Sequence, residues 1–171
     1  MLLDCNEIIE DRLWVGCYIR PEEVRYLCQL GITIVLNLQS DRDLDYYAIR
    51  VEELLLAYEV AGIEHHRIPI PDFDKQALES NLSHAVYALE KALAPLSSRV
   101  YVHCTAGINR GPTLAAAYLV KVRGLSAKEA YDYILAKRNC SPYLDILESY
   151  EVSMKGERAG QARGDLELGK V

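Results

Sequence analysis

Phenylalanine and tryptophan are scarce: Phe73 and Trp14 are the single examples in 171 residues, and twelve tyrosines supply the other rings. No C-x-x-C pair occurs. The five cysteines, Cys5, Cys17, Cys28, Cys104 and Cys140, are odd in number and widely spaced, which argues against a zinc site or a disulfide framework. A reduced, intracellular compartment is the default for such a set. His65-His66 is the one histidine pair, and neighbours on a strand point to opposite faces, so no metal site is expected. No apolar run approaches the roughly eighteen residues that span a bilayer; the longest, from Leu114 to Val122, is followed by Arg123, and no membrane partner is expected. No signal peptide is visible, since Asp4 and Glu7 follow Met1-Leu-Leu at once. The expected location is cytoplasmic, with an organelle open if a targeting segment has been removed. A basic excess is missing too: the net charge of −6 argues against nucleic-acid binding without excluding a local basic pocket.

Half of the residues are hydrophobic, which suits one domain with a substantial core. The densest chemistry lies between Val100 and Thr113. Val100, Tyr101 and Val102 favour a strand and run into His103 and Cys104; Arg110 follows after five residues, and Pro112 opens an apolar run at helical spacing. Strand, tight loop and helix are predicted, with Pro112 at the helix start, where its missing N–H costs nothing. A loop ending at a helix N-terminus gathers backbone N–H groups into a concavity of positive potential that suits a phosphate. A thiol in that position is favoured as a thiolate and is open to oxidation by peroxide if exposed. Arg110 supplies a planar fork for two phosphate oxygens. Attack of Cys104 on a phosphate ester is the chemistry implied.

Before that segment the pattern predicts a short strand ending at Gly16, then a helix entered at Pro21 with a buried stripe of Val24, Leu27, Cys28 and Leu30, closed by Gly31. A strand over 32–38 reads as covered on both faces. A polar loop over 39–47 follows, then a helix over 49–61 and a strand over 64–70. A long helix over 75–93 places Leu78, Leu82, Ala85, Val86, Leu89 and Leu93 on one face. After the Cys104 loop, Gly124 breaks the next helix, and Ser126 with Glu129 forms a capping-box pattern that starts another. A last helix is expected over 143–154, and 156–171 as a flexible tail. Alternating strands and helices predict a single α/β domain with a mainly parallel twisted sheet flanked by helices. The active loop then lies at the carboxyl end of a strand.

Thiolate attack needs an acid for the leaving group. Asp72 is preferred, in the Pro71-Asp-Phe-Asp74 loop expected at the same end of the sheet. Asp74 is the rival and suits a cap for the helix that follows. His103 would orient the loop or simply fill the core.

His103-Cys104-x-x-Gly107-x-x-Arg110 resembles the H-C-x-x-G-x-x-R signature of the cysteine-dependent dual-specificity phosphatases. More closely, the chain resembles the glucan phosphatases, plant enzymes related to laforin that remove phosphate from starch. The resemblance rests on Cys104-Thr-Ala-Gly107, Asp72-Phe-Asp74, the stretch from Asp41 to Tyr47 and that from Lys137 to Asp145, and it covers roughly 5–150. It implies a dual-specificity phosphatase catalytic domain over 1–155 and a phosphocysteine at Cys104. Thr105, Ala106, Gly107, Ile108, Asn109 and Arg110 would bind phosphate, with Asp72 acting as acid and then as base. It also implies a wall of rings against sugar faces at Phe73 and Tyr47, and more weakly at Tyr143. Tyr47 has an equal claim to packing a helix onto the sheet.

Two positions depart from that pattern. Asn109 stands where these enzymes usually have Gly, a substitution suited to a backbone with positive φ; it also resembles the Gly-x-Asn-Arg of RNA 5′-phosphatases. Gly111 stands where many dual-specificity enzymes carry a hydroxyl that assists thiolate release, an absence the glucan enzymes share. The expectation is a monomeric phosphatase without cofactor or metal, acting on a phosphorylated polysaccharide. The alternatives are a dual-specificity protein phosphatase, an RNA 5′-phosphatase, or a non-catalytic phosphate-binding module.

Overall fold

Apolar residues at consecutive positions of the central strands divide between two cores, one on each side of the sheet. The computed structural model describes residues 3–168, with side chains for 3–156. In chain order the elements are β1 (Cys5–Ile9), β2 (Leu13–Gly16), α1 (Val24–Gln29), β3 (Ile34–Asn37), α2 (Asp41–Tyr46), α3 (Val51–Val60), β4 (Glu64–Arg67), α4 (Lys75–Leu93), β5 (Val100–His103), α5 (Arg110–Arg123), α6 (Ala127–Lys137) and α7 (Leu144–Leu168). Leu13, Val15, Ile34, Leu36, Val100 and Val102 face a core shared with α4 to α7. Trp14, Val35 and Tyr101 face the second core, with Leu27 of α1 and Leu54 and Tyr58 of α3. The period of two along each strand makes this division.

The strand order is β1-β2-β5-β3-β4; β1 is antiparallel to β2 and every other pairing is parallel. The single α/β domain with a mainly parallel sheet is thus as expected. Register brings the strand ends level: Gly16 pairs with His103, His103 with Asn37, and Asn37 with Arg67. The four segments that follow leave the sheet on one edge, where open parallel sheets hold ligands.

Five local differences have physical causes. The segment before β2 is a strand, β1, whose alternation is hidden because only Ile8 is buried in it. The polar stretch over 39–47 contains α2, capped by Ser40, whose hydroxyl accepts the Asp43 N–H while the Asp43 carboxylate accepts the Ser40 N–H. Cys28 is exposed and leaves the buried stripe to Val24 and Leu27. Helix α5 begins at Arg110, so Pro112 is its third residue, still within the turn whose N–H groups lack helical partners. Helix α4 runs over the expected 75–93, capped by the Asp74 carboxylate on the Ala77 N–H at 2.8 Å. Helix α7 continues past Met154, because a glycine such as Gly156 costs a helix only about 1 kcal/mol.

Candidate active site

A strand, a six-residue loop and a helix N-terminus build the centre, and the loop's carbonyls decide its character. Four of them are tied from outside. The Tyr18 N–H donates to Thr105 O at 2.9 Å, and the Ser141 N–H to Ile108 O at 2.8 Å. Arg138 Nη2 donates to Ala106 O at 3.4 Å, and Arg138 Nε to Gly107 O at 2.8 Å. A trans peptide sets each carbonyl opposite the next residue's N–H. The N–H groups of Ala106, Gly107, Ile108 and Asn109 therefore turn inward, and none has an acceptor among the described residues. Such a nest of N–H groups at the head of α5 has the geometry to hold an oxyanion. Gly107 has φ of +66°, and a Cβ there would lie 2.4 Å from Gly16 O, so only glycine fits.

Cys104, the first loop residue, is 3% exposed, so the exposure on which its oxidation by peroxide depends is not found. His103 is fully buried. Its Nδ1 lies 3.0 Å from Cys104 O, and Nε2 has no partner among the described residues. Burial pushes the imidazole down to about 4, so it is neutral at pH 7 and donates to the Cys104 carbonyl through Nδ1–H. Loop support and core filling, the two readings of this residue, coincide.

Arg110 is also buried. Its Nη1 is 2.8 Å from Asp43 Oδ2 and donates to Ile70 O at 2.7 Å; its Nη2 is 3.1 Å from Asp72 Oδ2 and donates to Thr105 Oγ1 at 3.1 Å. Its Nε has no partner among the described residues. Burial disfavours the charged guanidinium, but the Asp43 hydrogen bond and the nearby Cys104 and Asp72 charges outweigh it and hold the pKa above its ordinary value. Burial likewise penalises the Asp43 carboxylate, and the hydrogen bonds from Arg110 and Ser40 prevail, keeping it below the usual range. Asp72 thus reaches the centre, whereas Asp74 faces α4 as its cap.

The rings lie on the rim. Phe73 is 82% exposed, beside Asp72, and holds φ of +60°. Tyr47 is 41% exposed and packs on Tyr18 (ring centroids 5.5 Å) and Tyr46 (4.9 Å). Tyr143 lies under Lys75 Nζ at 4.8 Å. Burial raises its phenol pKa, with a further contribution from the Asp72 charge.

Asn109 has φ of −114°, so the left-handed backbone expected of a glycine replacement is not used. Its side chain instead donates to Ser141 O at 2.8 Å. At Gly111 a Cβ would meet nothing closer than 3.4 Å, so the space does not itself require glycine. Sequence reading missed Asp43, Tyr18 and Arg138. The capping pattern of Ser40 with Asp43 was the available signal for Asp43; the other two depend on contacts across the fold.

Residues 13–147 match the family Dual specificity phosphatase, catalytic domain. The chain is 34% identical over 150 residues to Phosphoglucan phosphatase DSP4, amyloplastic, of Castanea sativa, covering 86% of this chain and 40% of that protein. It is 28% identical over 127 residues to Dual specificity protein phosphatase 5 of Homo sapiens, covering 74% and 29% respectively. It therefore spans less than half the length of either relative. The crystal structure of PTPMT1 has the same fold, with a TM-score of 0.72 at 24% identity over 91% of this chain and 99% of that one. With the family match running from the first parallel strand into the last helix, this chain belongs to the dual-specificity phosphatases.

Proposed function

We propose that the chain hydrolyses phosphate monoesters on glucan chains through a phosphocysteine at Cys104. The inward N–H groups and Arg110 hold the nonbridging oxygens, and Cys104 Sγ attacks phosphorus. Asp72 gives its proton to the departing sugar oxygen. It then takes a proton from water, which attacks the phosphocysteine, releases phosphate and restores the thiolate. A phosphoryl dianion on Arg110 displaces Asp72 from the guanidinium, and a like charge nearby favours the protonated carboxyl that an acid requires.

Phe73 carries the glucan reading. A large apolar ring, 82% exposed on left-handed backbone one residue from Asp72, costs stability and has no core role, but it offers a face for a pyranose ring. The likeness to a phosphoglucan phosphatase supports the same substrate. That relative is amyloplastic by name, which favours the organelle option over the cytoplasmic one. No helix among the described residues is long and apolar enough to cross a membrane.

The test is phosphate release by wild type and Cys104→Ser from phosphorylated starch, an aryl phosphate, a phosphotyrosine peptide and 5′-triphosphate RNA. Preference for starch over the peptide and RNA, with an inactive Cys104→Ser, is expected. Turnover of aryl phosphate and phosphopeptide with starch untouched would overturn the glucan reading and leave a protein phosphatase. Starch binding without turnover would leave a binding module.

A further inference from the structure

Arg138 is 4% exposed, and the chemistry above leaves it without a part. Its guanidinium divides its donors between two parts of the fold. Nε and Nη2 bond the carbonyls of Gly107 and Ala106, and Nη1 bonds Asp4 Oδ1 at 3.0 Å and Asn6 Oδ1 at 2.8 Å. We propose that Arg138 is a positioning residue for phosphate binding: it holds two consecutive loop carbonyls outward so that the N–H groups of Gly107 and Ile108 face the oxyanion.

The loop needs such a hold because of its own glycine. Rotation of the Ala106–Gly107 peptide unit changes ψ of Ala106 and φ of Gly107, and glycine accepts either hand. A rotated unit would point a carbonyl oxygen into the nest, against the phosphate. The neighbouring carbonyls of Thr105 and Ile108 are fixed by backbone N–H groups of Tyr18 and Ser141. Those of Ala106 and Gly107 are fixed by Arg138. A guanidinium suits this work because it is planar, permanently charged and able to bond adjacent acceptors at once; an ammonium is a point charge. Asp4 and Asn6 give Arg138 its own fixed orientation, which makes the β1 segment part of the apparatus.

The proposal rests on the phosphocysteine reading and is independent of the glucan. Its test uses an aryl phosphate as substrate and tungstate, a tetrahedral oxyanion, as inhibitor. kcat, KM, the tungstate inhibition constant and the melting temperature are measured for wild type, Arg138→Lys, Arg138→Met and Asn6→Ala. In both Arg138 variants the tungstate constant and KM should rise together by roughly 10- to 100-fold, since a misplacement of about 1 Å is worth about that much. Asn6→Ala should raise both by a smaller factor. A folded Arg138→Met that binds tungstate as wild type does overturns the proposal, and so does an Arg138→Lys indistinguishable from wild type. If Arg138→Met does not fold, Asn6→Ala decides: weaker tungstate inhibition supports the proposal and unchanged inhibition overturns it. A wild type insensitive to tungstate would instead remove the phosphocysteine reading beneath it.

Discussion

Asp43 Oδ2 stands 2.8 Å from Arg110 Nη1, and the two side chains are 9% and 2% exposed. Asp43 also takes the Thr105 hydroxyl at 3.2 Å and the Ser40 N–H at 2.7 Å, so one carboxylate links α2 to the loop and to its arginine. Breaking a buried ion pair leaves an uncompensated charge and costs about 3–5 kcal/mol. Asp43→Asn should lose about that much stability in denaturant unfolding, and aryl phosphate turnover should fall as Arg110 loses its fixed orientation. A change below about 1 kcal/mol, typical of a surface pair, would count against it.

The two aspartates that flank Phe73 should separate cleanly. Asp72→Asn keeps the shape and removes the acid, so kcat should drop by roughly 10²–10⁴ and lose its dependence on a protonated carboxyl. Asp74→Ala should cost about 1 kcal/mol of stability through the lost cap on the Ala77 N–H, with kcat close to wild type. Steady-state rates across pH and thermal melts of both variants decide the assignment. Equal kcat losses would refute it.

Phe73 occupies a conformation that asparagine and glycine tolerate and a bulky ring does not. Phe73→Asn should raise stability by roughly 0.5–1 kcal/mol while lowering glucan turnover several-fold and sparing the aryl phosphate. Stability gained without loss on starch would remove the ring from the glucan site.

His103 makes stability depend on pH in a defined direction. Its imidazole titrates at about 4 in the fold against an ordinary 6.5, because it is buried. The unfolded chain therefore binds a proton that the folded one refuses, so this contribution is complete above pH 6.5 and declines as the pH falls toward 4. Each unit corresponds to about 1.4 kcal/mol, a few kcal/mol over the window. Melting temperatures of wild type should fall across it, and those of His103→Gln should be flatter. Parallel curves would show that His103 is not the source.

Much of this was legible because it is local. Val100 to Arg110 carries strand propensity, a tight loop and a helix start within one short stretch, and each follows from neighbouring residues. The 75–93 helix and its Asp74 cap were readable for the same reason. Helix α2 was not, since its short polar sequence lacks an apolar stripe; the Ser40–Asp43 box stabilises it instead. β1 escaped because a strand at the sheet edge buries little of its pattern.

By itself the sequence determined the candidate nucleophile, the loop that surrounds it and the sheet edge on which they lie, because backbone geometry and hydrophobic period are set over a few residues. Only the tertiary structure decided what holds that loop and its arginine in place. Asp43, Tyr18 and Arg138 reach it from distant parts of the chain, where register and side-chain length determine which groups meet. It also separated Asp72 from Asp74, one on either side of Phe73: the left-handed turn at Phe73 sends one carboxylate to Arg110 and the other to the head of α4.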